Sequence, residues 1–375
     1  MGVKMSAGQN ILIIGAGPVG LSLAVELTRR GIPLRIIDKG AGPTPESESR
    51  ALGVHLRTLD ILAPSGIADT LRAQGNLVTN IKMMQDGQQF AEMDLTKHPR
   101  TDSAMLSIPQ GTTERVMIAW LAQHDVVPQW NTALEKLEID AGISTAHIVK
   151  PDGKSSRQAY DYIIGCDGSH SIVRKSAGIG FAGRTGDEQW SLADVEYTHE
   201  IDPHTGRPNF LTGKGIIAAI PINKNLVRYF SNGPSVIELL PDSEHIKAIH
   251  WQSTFRISYR VVETFQKHNV YLAGDAAHIH SPAGGRGMNL GIEDASWLAW
   301  LISEGRAAEY SGFRLPVAQQ TIRETFTLTD QITNDSMFRR FLRESVLPIM
   351  LKIPPIRTRI LNNLLALDTP APPWL

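Results

Sequence analysis

The chain opens with two short apolar runs that flank an amphipathic stretch. Residues 10–15 (NILIIG) and 34–37 (LRII) are rich in isoleucine and leucine, as buried strands are, and residues 18–30 carry apolar side chains at helical spacing. Gly31 follows two arginines and is suited to end that helix. The pattern predicts a strand, a helix and a second strand, and such a crossover places the two strands parallel.

Alternating patterns farther along the chain predict hairpins and an antiparallel sheet inserted into the parallel domain. Asp86-Gly87 and Asp152-Gly153 are suited to tight turns. These patterns predict hairpins over residues 81–95 and 148–164, the second leading into a strand at 162–164, and short antiparallel strands over 190–250 with turns at 204–206, 223–224 and 232–234. Apolar runs and helical spacing predict a strand at 270–273, helices at 54–74, 112–123, 291–303 and 318–333, and an apolar, basic tail at 338–367.

The composition limits the compartment and the kind of partner. Of 375 residues, 42% are hydrophobic and 20% are charged, which is typical of a globular protein, and the formal net charge is -1. Such a chain has no overall field to attract nucleic acid or an acidic membrane, so we expect a small-molecule partner. Cys166 is the only cysteine, and the residues before Asn10 are too few and too polar for a secretion signal. We therefore expect a cytoplasmic protein.

A glycine motif lies between the first predicted strand and helix. Gly15, Gly17 and Gly20 follow the pattern G-x-G-x-x-G. The first glycine permits a tight turn, the second lets the backbone approach a pyrophosphate, and the third allows close helix packing. Asp38 follows about 20 residues later, at the end of the second strand, where an acidic side chain binds a ribose hydroxyl. The sequence therefore predicts a dinucleotide site at the N-terminus of the helix.

Two further motifs follow at the ends of predicted strands. Cys166-Asp167-Gly168 leads on to Arg174, and Gly274-Asp275 follows the strand at 270–273. The latter motif continues into a stretch that contains Pro282, Gly284, Gly285, Gly287, Met288 and Asn289. With all three motifs in this order, roughly residues 11–302 resemble the flavoprotein monooxygenases of the para-hydroxybenzoate hydroxylase class, which use FAD.

The resemblance implies a role for side chains around the FAD phosphates and ribityl chain. Asp275, after Gly274, would accept hydrogen bonds from the ribityl hydroxyls. Asp167 and Arg174 would lie near the pyrophosphate and the route of the nicotinamide cofactor. Arg50 matches an arginine that contacts FAD and helps the flavin ring to move, and Gln110 matches a glutamine beside the flavin.

The resemblance also places the flavin ring against the glycine-rich stretch. The glycines would let the backbone lie against a flat ring, since a side chain would collide with it. These positions are Gly284, Gly285 and Gly287. Backbone N–H groups near Met288 and Asn289 would meet the pyrimidine edge, where negative charge grows on reduction. Pro282 would lie over the reactive face of the ring.

The resemblance implies a fold and a reaction. The fold would be α/β, with a Rossmann-like FAD-binding domain on a parallel sheet, an inserted antiparallel-sheet substrate domain and a helical C-terminal tail. The expected bounds are 1–75, 105–180 and 268–335 for the FAD-binding domain, 76–104 and 181–267 for the substrate domain, and 336–375 for the tail. The expected reaction is hydroxylation of a phenolic or polycyclic aromatic compound with NAD(P)H and O2, through a flavin C4a-hydroperoxide that the protein shields from water.

Substrate contacts have no motif of their own. The candidates are aromatic residues of the predicted substrate sheet: Phe210, Tyr229, Phe230, Trp251 and Phe255. Each of these side chains could instead pack in the core of the sheet. His278 and His280 invite a metal site, but no third and fourth ligand lies near them in the sequence, so we predict no metal. We expect a monomer or a homodimer.

Other functions are compatible with the same motifs. The scaffold could epoxidise a ring, insert oxygen in a Baeyer–Villiger reaction or reduce its substrate, because a fold does not fix a reaction. A non-enzymatic flavin-binding protein is disfavoured by the intact glycine stretch. The tail could lie on a membrane or a dimer surface, although packing on the cofactor domain is the simpler expectation. Trp297 stands where members of the class often have asparagine, and the sequence suggests no function for it.

Overall fold

A computed structural model describes residues 10–46, 48, 50–140, 142–334 and 336–375. The residues before Asn10, which we expect to be too few and too polar for a secretion signal, lie outside the described residues. The strands, in chain order, are β1 (Ile11–Ile14), β2 (Leu34–Ile37), β3 (Gly53–Val54), β4 (Asn76–Val78), β5 (Asn80–Gln85), β6 (Gln88–Asp94), β7 (Met105–Ser107), β8 (Ala133–Asp140), β9 (Ile143–Val149), β10 (Ser155–Tyr160), β11 (Tyr162–Gly165), β12 (Phe181–Tyr197), β13 (Thr205–Leu211), β14 (Gly215–Pro221), β15 (Leu226–Ser231), β16 (Ile246–Val262), β17 (Gln266–Lys267), β18 (Val270–Leu272) and β19 (His278–Ile279).

The helices connect these strands and form the C-terminal region. They are α1 (Pro18–Arg29), α2 (Leu56–Leu62), α3 (Ile67–Gln74), α4 (Gln110–Ala122), α5 (Ile172–Ser176), α6 (Arg286–Ser303), α7 (Tyr310–Thr333), α8 (Met337–Phe341), α9 (Leu347–Lys352) and α10 (Pro354–Leu364). One π-helical turn, Leu342–Val346, joins α8 to α9. In the described part of the chain, no helix combines the length and apolar character that crossing a bilayer requires.

The first sheet confirms the predicted strand–helix–strand crossover. Its order is β17-β18-β11-β1-β2, and β1 pairs in parallel with both β2 and β11. All four residues of β1 are buried, as expected for a parallel strand covered on both faces. Helices α1 and α6 pack together within the same apolar core. The ends of β1, β11 and β18 therefore lie side by side, and each of the three motifs follows one of these ends.

The large sheet confirms the predicted antiparallel region and corrects its details. Its order is β19-β16-β12-β15-β14-β13-β5-β6, and β13 and β5 form its one parallel pair within the described residues. The strands β12 and β16 are each 17 residues long rather than short, and they pair along most of their length. The turn predicted at 204–206 is wrong at its end, because β13 already begins at Thr205.

The predicted hairpins are confirmed. Asp86 and Gly87 have φ angles of 48° and 82° between β5 and β6, the left-handed conformation that a two-residue hairpin turn requires. Strands β9 and β10 form the second hairpin, and Gly153 in its turn has φ 77°. The two short hairpins are therefore fixed by local turn chemistry.

Three helix predictions need correction. The helix predicted at 54–74 is interrupted between α2 and α3, since Gly66 adopts φ 76° after a short 3-10 turn that contains Pro64. Helix α6 begins at Arg286 rather than residue 291, so the last part of the glycine-rich stretch is helical. Helix α7 begins at Tyr310 and continues through Pro316 rather than starting at residue 318.

The C-terminal region packs on the rest of the protein through α10. Leu361 and Leu365 are fully buried and belong to a cluster with Leu56 of α2 and Val78 of β4. The packing of α10 on α2 agrees with the simpler expectation for the tail, whereas Leu351 of α9 packs on Met83 of β5 and Ala91 of β6 in the large sheet. Together with the two sheets, it confirms the predicted α/β fold with a parallel sheet, a large antiparallel sheet and a helical C-terminal region.

Candidate active site

The glycine loop after β1 is shaped by backbone contacts. A Cβ on Gly20 would lie 1.9 Å from the carbonyl oxygen of Gly15, and a Cβ on Gly15 would lie 2.3 Å from that of Cys166. Gly17 differs, since a Cβ there would meet nothing within 4 Å. Gly17 is also the N-cap of α1, which has no side-chain cap. The N–H groups of the first turn are therefore available to a ligand in the open space beside Gly17.

Asp38 closes the glycine loop from the end of β2. Its Oδ2 accepts a hydrogen bond from the Ala16 N–H at 2.6 Å, and its Oδ1 accepts one from the Gly40 N–H at 2.6 Å. A carboxylate offers about four acceptor positions, so two positions are left for a ribose hydroxyl. The side chain is half-buried, which agrees with a place at the edge of a ligand cleft.

Asp167 follows β11 and stabilises the start of α5. Its Oδ2 accepts hydrogen bonds from the N–H groups of Ile172 at 2.7 Å and Val173 at 3.3 Å. Its Oδ1 is buried and has no hydrogen-bond partner in the protein, and burial raises the pKa of the carboxyl. A buried oxygen without a donor is unfavourable, so a donor from a ligand would stabilise it.

Arg174 links the second motif to the third. The guanidinium is buried, and it donates from Nη1 to the carbonyl of Ala276 and from Nη2 to that of Ser169, both at 2.9 Å. It also lies 4.0 Å over the ring of Phe181. The predicted contact of Arg174 with the nicotinamide route stays a prediction, because its polar groups already join the two motifs.

Close packing around Val19 brings the motifs together. A Cβ on Gly274, where φ is 60°, would lie 2.8 Å from Val19 Cγ2, and a Cβ on Gly291 would lie 2.6 Å from the same atom. Helix α1 can therefore approach both the third motif and α6. Gly291 was not predicted to have this role, although a glycine in a helical pattern, here at the start of the predicted helix, is a signal for such packing.

Asp275 and Pro282 face solvent beside this packed region. The Asp275 side chain is exposed, but enough protein surrounds it to raise the pKa of the carboxyl. Pro282 is also exposed, and Gly284 and Gly285 after it have φ angles of 79° and 64°. The structure therefore leaves a carboxylate, a proline and left-handed glycine backbone open to a ligand at the start of α6.

The first turn of α6 carries the remaining predicted cofactor residues. Gly287 and Met288 lie in this turn, which has no side-chain cap, and a Cβ on Gly287 would meet nothing within 4 Å. Asn289 differs because its side chain is buried and fully engaged. Its Oδ1 accepts from the His55 N–H and from Thr58 Oγ1, and its Nδ2 donates to the carbonyls of Gly53 and Gly285. Only the backbone of Asn289 could therefore meet a flavin.

Arg50 belongs to the segment that precedes β3, and Gln110 of α4 forms a hydrogen bond with that segment. Gln110 Oε1 accepts from the Ala51 N–H at 3.2 Å, and its Nε2 donates to Glu114 at 2.8 Å. The Arg50 side chain is 69% exposed and is paired with Glu48 at 3.2 Å. Gln110 therefore positions the backbone of this segment, whereas the Arg50 guanidinium is held by an exposed ion pair that costs little to break.

The predicted substrate residues divide between the two faces of the large sheet. The strand register places four of them on one face: Phe210, Phe230, Trp251 and Phe255. Tyr229 lies on the opposite face, where its hydroxyl is 3.0 Å from that of Tyr197 in a separate apolar cluster. Adjacent strand residues point to opposite faces, so Tyr229 cannot share a pocket with Phe230. The prediction that Tyr229 contacts the substrate together with the other aromatic residues is therefore wrong.

The same face holds a buried ion pair that was not predicted from the sequence. Arg228 Nε and Nη2 donate to the Asp194 carboxylate at 2.7 and 2.8 Å, and both side chains are buried. Arg228 Nη1 also donates to the carbonyl of Arg50 at 2.8 Å. We refer to the face that carries Phe230, Trp251 and Phe255 as the aromatic face. The ion pair fastens the aromatic face to the segment of Arg50.

A second buried network supports the third motif. Asp294 of α6 accepts from Arg314 Nε at 2.7 Å, from the Gly274 N–H at 3.2 Å, and lies 2.6 Å from His278 Nε2. Burial acts to raise the pKa of Asp294, but Arg314 and His278 together hold it below its usual value. His278 is thus a hydrogen-bonding residue, and no group of three or more metal-binding side chains occurs in the described residues.

Two further histidines near the third motif are buried. Burial and, to a smaller extent, the charge of Arg286 together lower the pKa of His55 to about 3. Burial likewise lowers the pKa of His280 to about 4. Both imidazoles are therefore neutral near pH 7, and they place no additional positive charge beside the first turn of α6.

A comparison with known protein families identifies the cofactor. Residues 9–232 and 236–325 match the family model described as FAD binding domain. The chain belongs to this family of FAD-binding domains. Its residues fit FAD: two helix N-termini lack caps beside open space at Gly17 and Gly287, and the unpartnered Asp167 Oδ1 lies in the second motif. The part played by each residue at the FAD stays a prediction.

Individual relatives of this FAD-binding chain are named oxygenases. It is 32% identical to 6-methylpretetramide 4-monooxygenase of Streptomyces rimosus in an alignment of 377 positions, gaps included, that covers 92% of this chain and 65% of the relative. The chain thus spans about two thirds of the length of that relative. The structure of anhydrotetracycline hydroxylase from Streptomyces rimosus superposes with a TM-score of 0.77 at 26% identity and covers 97% of this chain and 77% of its own.

A third comparison concerns the fold alone. The structure of p-nitrophenol 4-monooxygenase from Pseudomonas putida superposes with a TM-score of 0.84 at 22% identity. The match covers 96% of this chain and 99% of the other. The two sheets and the helical C-terminal region described above therefore occur together in a second protein.

Proposed function

We propose that this chain is an FAD-dependent monooxygenase that hydroxylates a phenolic or polycyclic aromatic compound with NAD(P)H and O2. The observation that carries the proposal is the hydrogen bond from Arg228, on the aromatic face, to the carbonyl of Arg50, a residue predicted to contact FAD. This hydrogen bond would bring a surface suited to a flat apolar substrate next to bound FAD. The named activities of the relatives support the same class of reaction.

The chain's own residues would bind FAD, orient its ring and shield it from water. The N-terminus of α1 would bind the FAD pyrophosphate, and Asp38 and Asp275 would accept hydrogen bonds from ribose and ribityl hydroxyls. The first turn of α6 would direct N–H groups to the part of the ring that gains negative charge. Bound FAD would supply electron transfer from NAD(P)H and the activation of O2.

The aromatic face would hold the substrate and exclude water. Phe230, Trp251 and Phe255 present large rigid side chains, and such rings stack well on aromatic compounds. Phe210 contributes less, because the Arg343 guanidinium covers it at 3.9 Å. The proposal includes the expected domain bounds, action as a monomer or homodimer, and the cytoplasm as the compartment.

The decisive experiment is anaerobic reduction of the bound flavin. Wild-type protein loaded with FAD is mixed with NADPH or NADH, with and without a panel of phenols and aromatic polyketides, and bleaching is followed by absorbance. A compound that strongly accelerates bleaching, and is then hydroxylated in air, supports the proposal. Bleaching at full rate without any aromatic compound favours a reductase or a Baeyer–Villiger enzyme. Absence of bleaching with both nicotinamides would rule out a single-component monooxygenase.

A further inference from the structure

The last residues of the chain lie across helix α6. Thr369 is buried, and its hydroxyl donates to Glu293 Oε2 in the middle of α6 at 3.0 Å. Trp374 packs at the C-terminal half of the helix, with its ring 5.5 Å from Trp297 and 5.2 Å from Trp300. We call residues 363–374 the C-terminal clasp. The clasp contacts α6 along most of its length.

The clasp reaches the N-terminus of α6 through Arg286. This arginine is buried and is the first residue of the helix, between Gly285 and Gly287. Its Nη1 donates to Asp368 Oδ2 at 2.9 Å and to the carbonyl of Asn363 at 3.2 Å, and its Nη2 lies 2.9 Å from Asp368 Oδ1. The hydrogen bond from Nη1 to Oδ2 is charge-assisted and therefore strong, so Asp368, together with the Asn363 carbonyl, holds the Arg286 side chain in place.

A second contact ties the clasp to helix α2. Arg57 Nη2 donates to the carbonyl of Thr369 at 3.4 Å. The neighbouring Thr58 donates to Asn289 at 2.7 Å, in the first turn of α6. The clasp, α2 and the first turn of α6 are therefore joined by polar contacts that are buried from water.

The clasp also accounts for Trp297. Its ring stacks on Phe313 of α7 at 4.9 Å and meets the edge of Trp374. A tryptophan at this position thus provides the surface on which the end of the clasp packs. The sequence alone suggested no function for Trp297. In the structure it packs against Trp374, which lies 374 − 297 = 77 residues later in the chain.

We propose that the clasp is a positioning element of the FAD site, and that Asp368 sets FAD affinity without touching FAD. Asp368 holds Arg286, and Arg286 holds the uncapped first turn against which the flavin would lie. An anion-binding helix N-terminus works only if its N–H groups keep their direction. The inference rests on the FAD site of the family and is independent of the oxygenation reaction.

Coupling between FAD binding and packing of the clasp acts in both directions. If an intact clasp increases FAD affinity by some factor, FAD must stabilise the clasp by the same factor. Two separate measurements on the same protein therefore test one quantity, and neither of them requires enzyme turnover.

The first measurement is FAD titration of the apoprotein by quenching of flavin fluorescence. We expect Asp368→Asn to raise the Kd for FAD by about tenfold, within the usual range of coupling between sites. Thr369→Val, which removes the hydrogen bond to Glu293, should raise it less. The control is Asp330→Asn, which breaks an arginine pair at 2.9 Å between α7 and α8 and leaves α6 untouched. This control should keep the wild-type Kd.

The second measurement is hydrogen exchange of the amides in residues 363–374. Saturation with FAD should slow their exchange about tenfold in the wild type and much less in Asp368→Asn. A variant that loses thermal stability but keeps the wild-type Kd would show a purely structural clasp and overturn the proposal. Unchanged exchange in the FAD-loaded wild type would overturn it as well. Failure of the wild type to bind FAD would instead contradict the family assignment.

Discussion

The cofactor region and the large sheet use their side chains in opposite ways. Around Gly15, Gly20 and Gly291, the structure depends on side chains that are absent, because a Cβ would collide with backbone or with Val19. On the aromatic face, it depends on large rings such as Phe230 and Trp251. A site built on backbone approach tolerates almost no added atom, whereas a packed face tolerates changes of shape at moderate cost.

The largest expected effect is a difference in stability between alanine substitutions at two glycines of the same loop, Gly20 and Gly17. Gly20→Ala would place a methyl group 1.9 Å from a backbone oxygen, so we expect loss of FAD binding and a marked fall in apoprotein Tm. Gly17→Ala has open space, so its apoprotein should melt like the wild type while FAD affinity falls. Calorimetry and FAD titration of both variants check this. Equal melting temperatures for the two would contradict the contrast.

Within the large sheet, we expect the ion pair on the aromatic face to be the part least tolerant of substitution. Asp194→Asn leaves the Arg228 charge buried without its partner, and we expect unfolding to become easier by about 3–5 kcal/mol. Glu196→Gln, two residues along β12, removes a carboxylate whose partners Lys247 and His250 are exposed, and should cost less than about 1 kcal/mol. Urea denaturation compares the two variants. Similar costs would mean that burial does not strengthen the Asp194 pair.

Acid should weaken the cofactor region through its buried histidines. The pKa of His280 is about 4 when folded and 6.5 when exposed, so below pH 6.5 the unfolded chain binds a proton that the folded chain excludes. The free energy of unfolding therefore falls as the pH decreases from 6.5 to about 4, and His280 contributes a slope of about 1.4 kcal/mol per pH unit. His280→Gln should flatten the curve by that amount. The exposed His124→Gln is the control, and equal slopes for the two variants would refute the assignment.

The smallest expected effect concerns two neighbours on opposite faces. If the proposed function holds, Phe230→Ala should raise the KM for the aromatic substrate about tenfold, since a stacking ring is lost. Tyr229→Phe should leave KM unchanged, because this hydroxyl meets Tyr197 on the other face. Steady-state kinetics of both variants, with circular dichroism to verify folding, give the answer. A KM change confined to Tyr229→Phe would reverse the assignment of the faces.

The same contrast explains what the sequence could predict. Glycine spacing at the ends of β1 and β18 reports a backbone requirement, so the motifs could be located before any register was known. Phe230 and Tyr229 are adjacent in sequence, and only the pairing of β15 with β12 assigns them to faces. The break before Gly66 did have a local signal in Pro64 and the glycine, which the helical periodicity outweighed.

Contacts between distant residues were beyond prediction for a different reason. Arg228 with Asp194, Arg314 with Asp294, and Arg286 with Asp368 are each joined only by the tertiary fold. A charged residue in a helix or strand pattern is ordinarily expected at the surface. No pattern in one sequence distinguishes a charge that will be buried with a partner from one that faces water.

The order of strands in the first sheet has a consequence for biosynthesis. The glycine loop follows β1 and is translated first, but its walls come from Cys166 after β11 and from Gly274 after β18. At about 5–20 residues per second, the ribosome takes tens of seconds to supply those walls. During that time β1 is an apolar strand with an unpaired edge, which is prone to aggregate. FAD can therefore bind this loop only after the chain has been translated beyond Gly274.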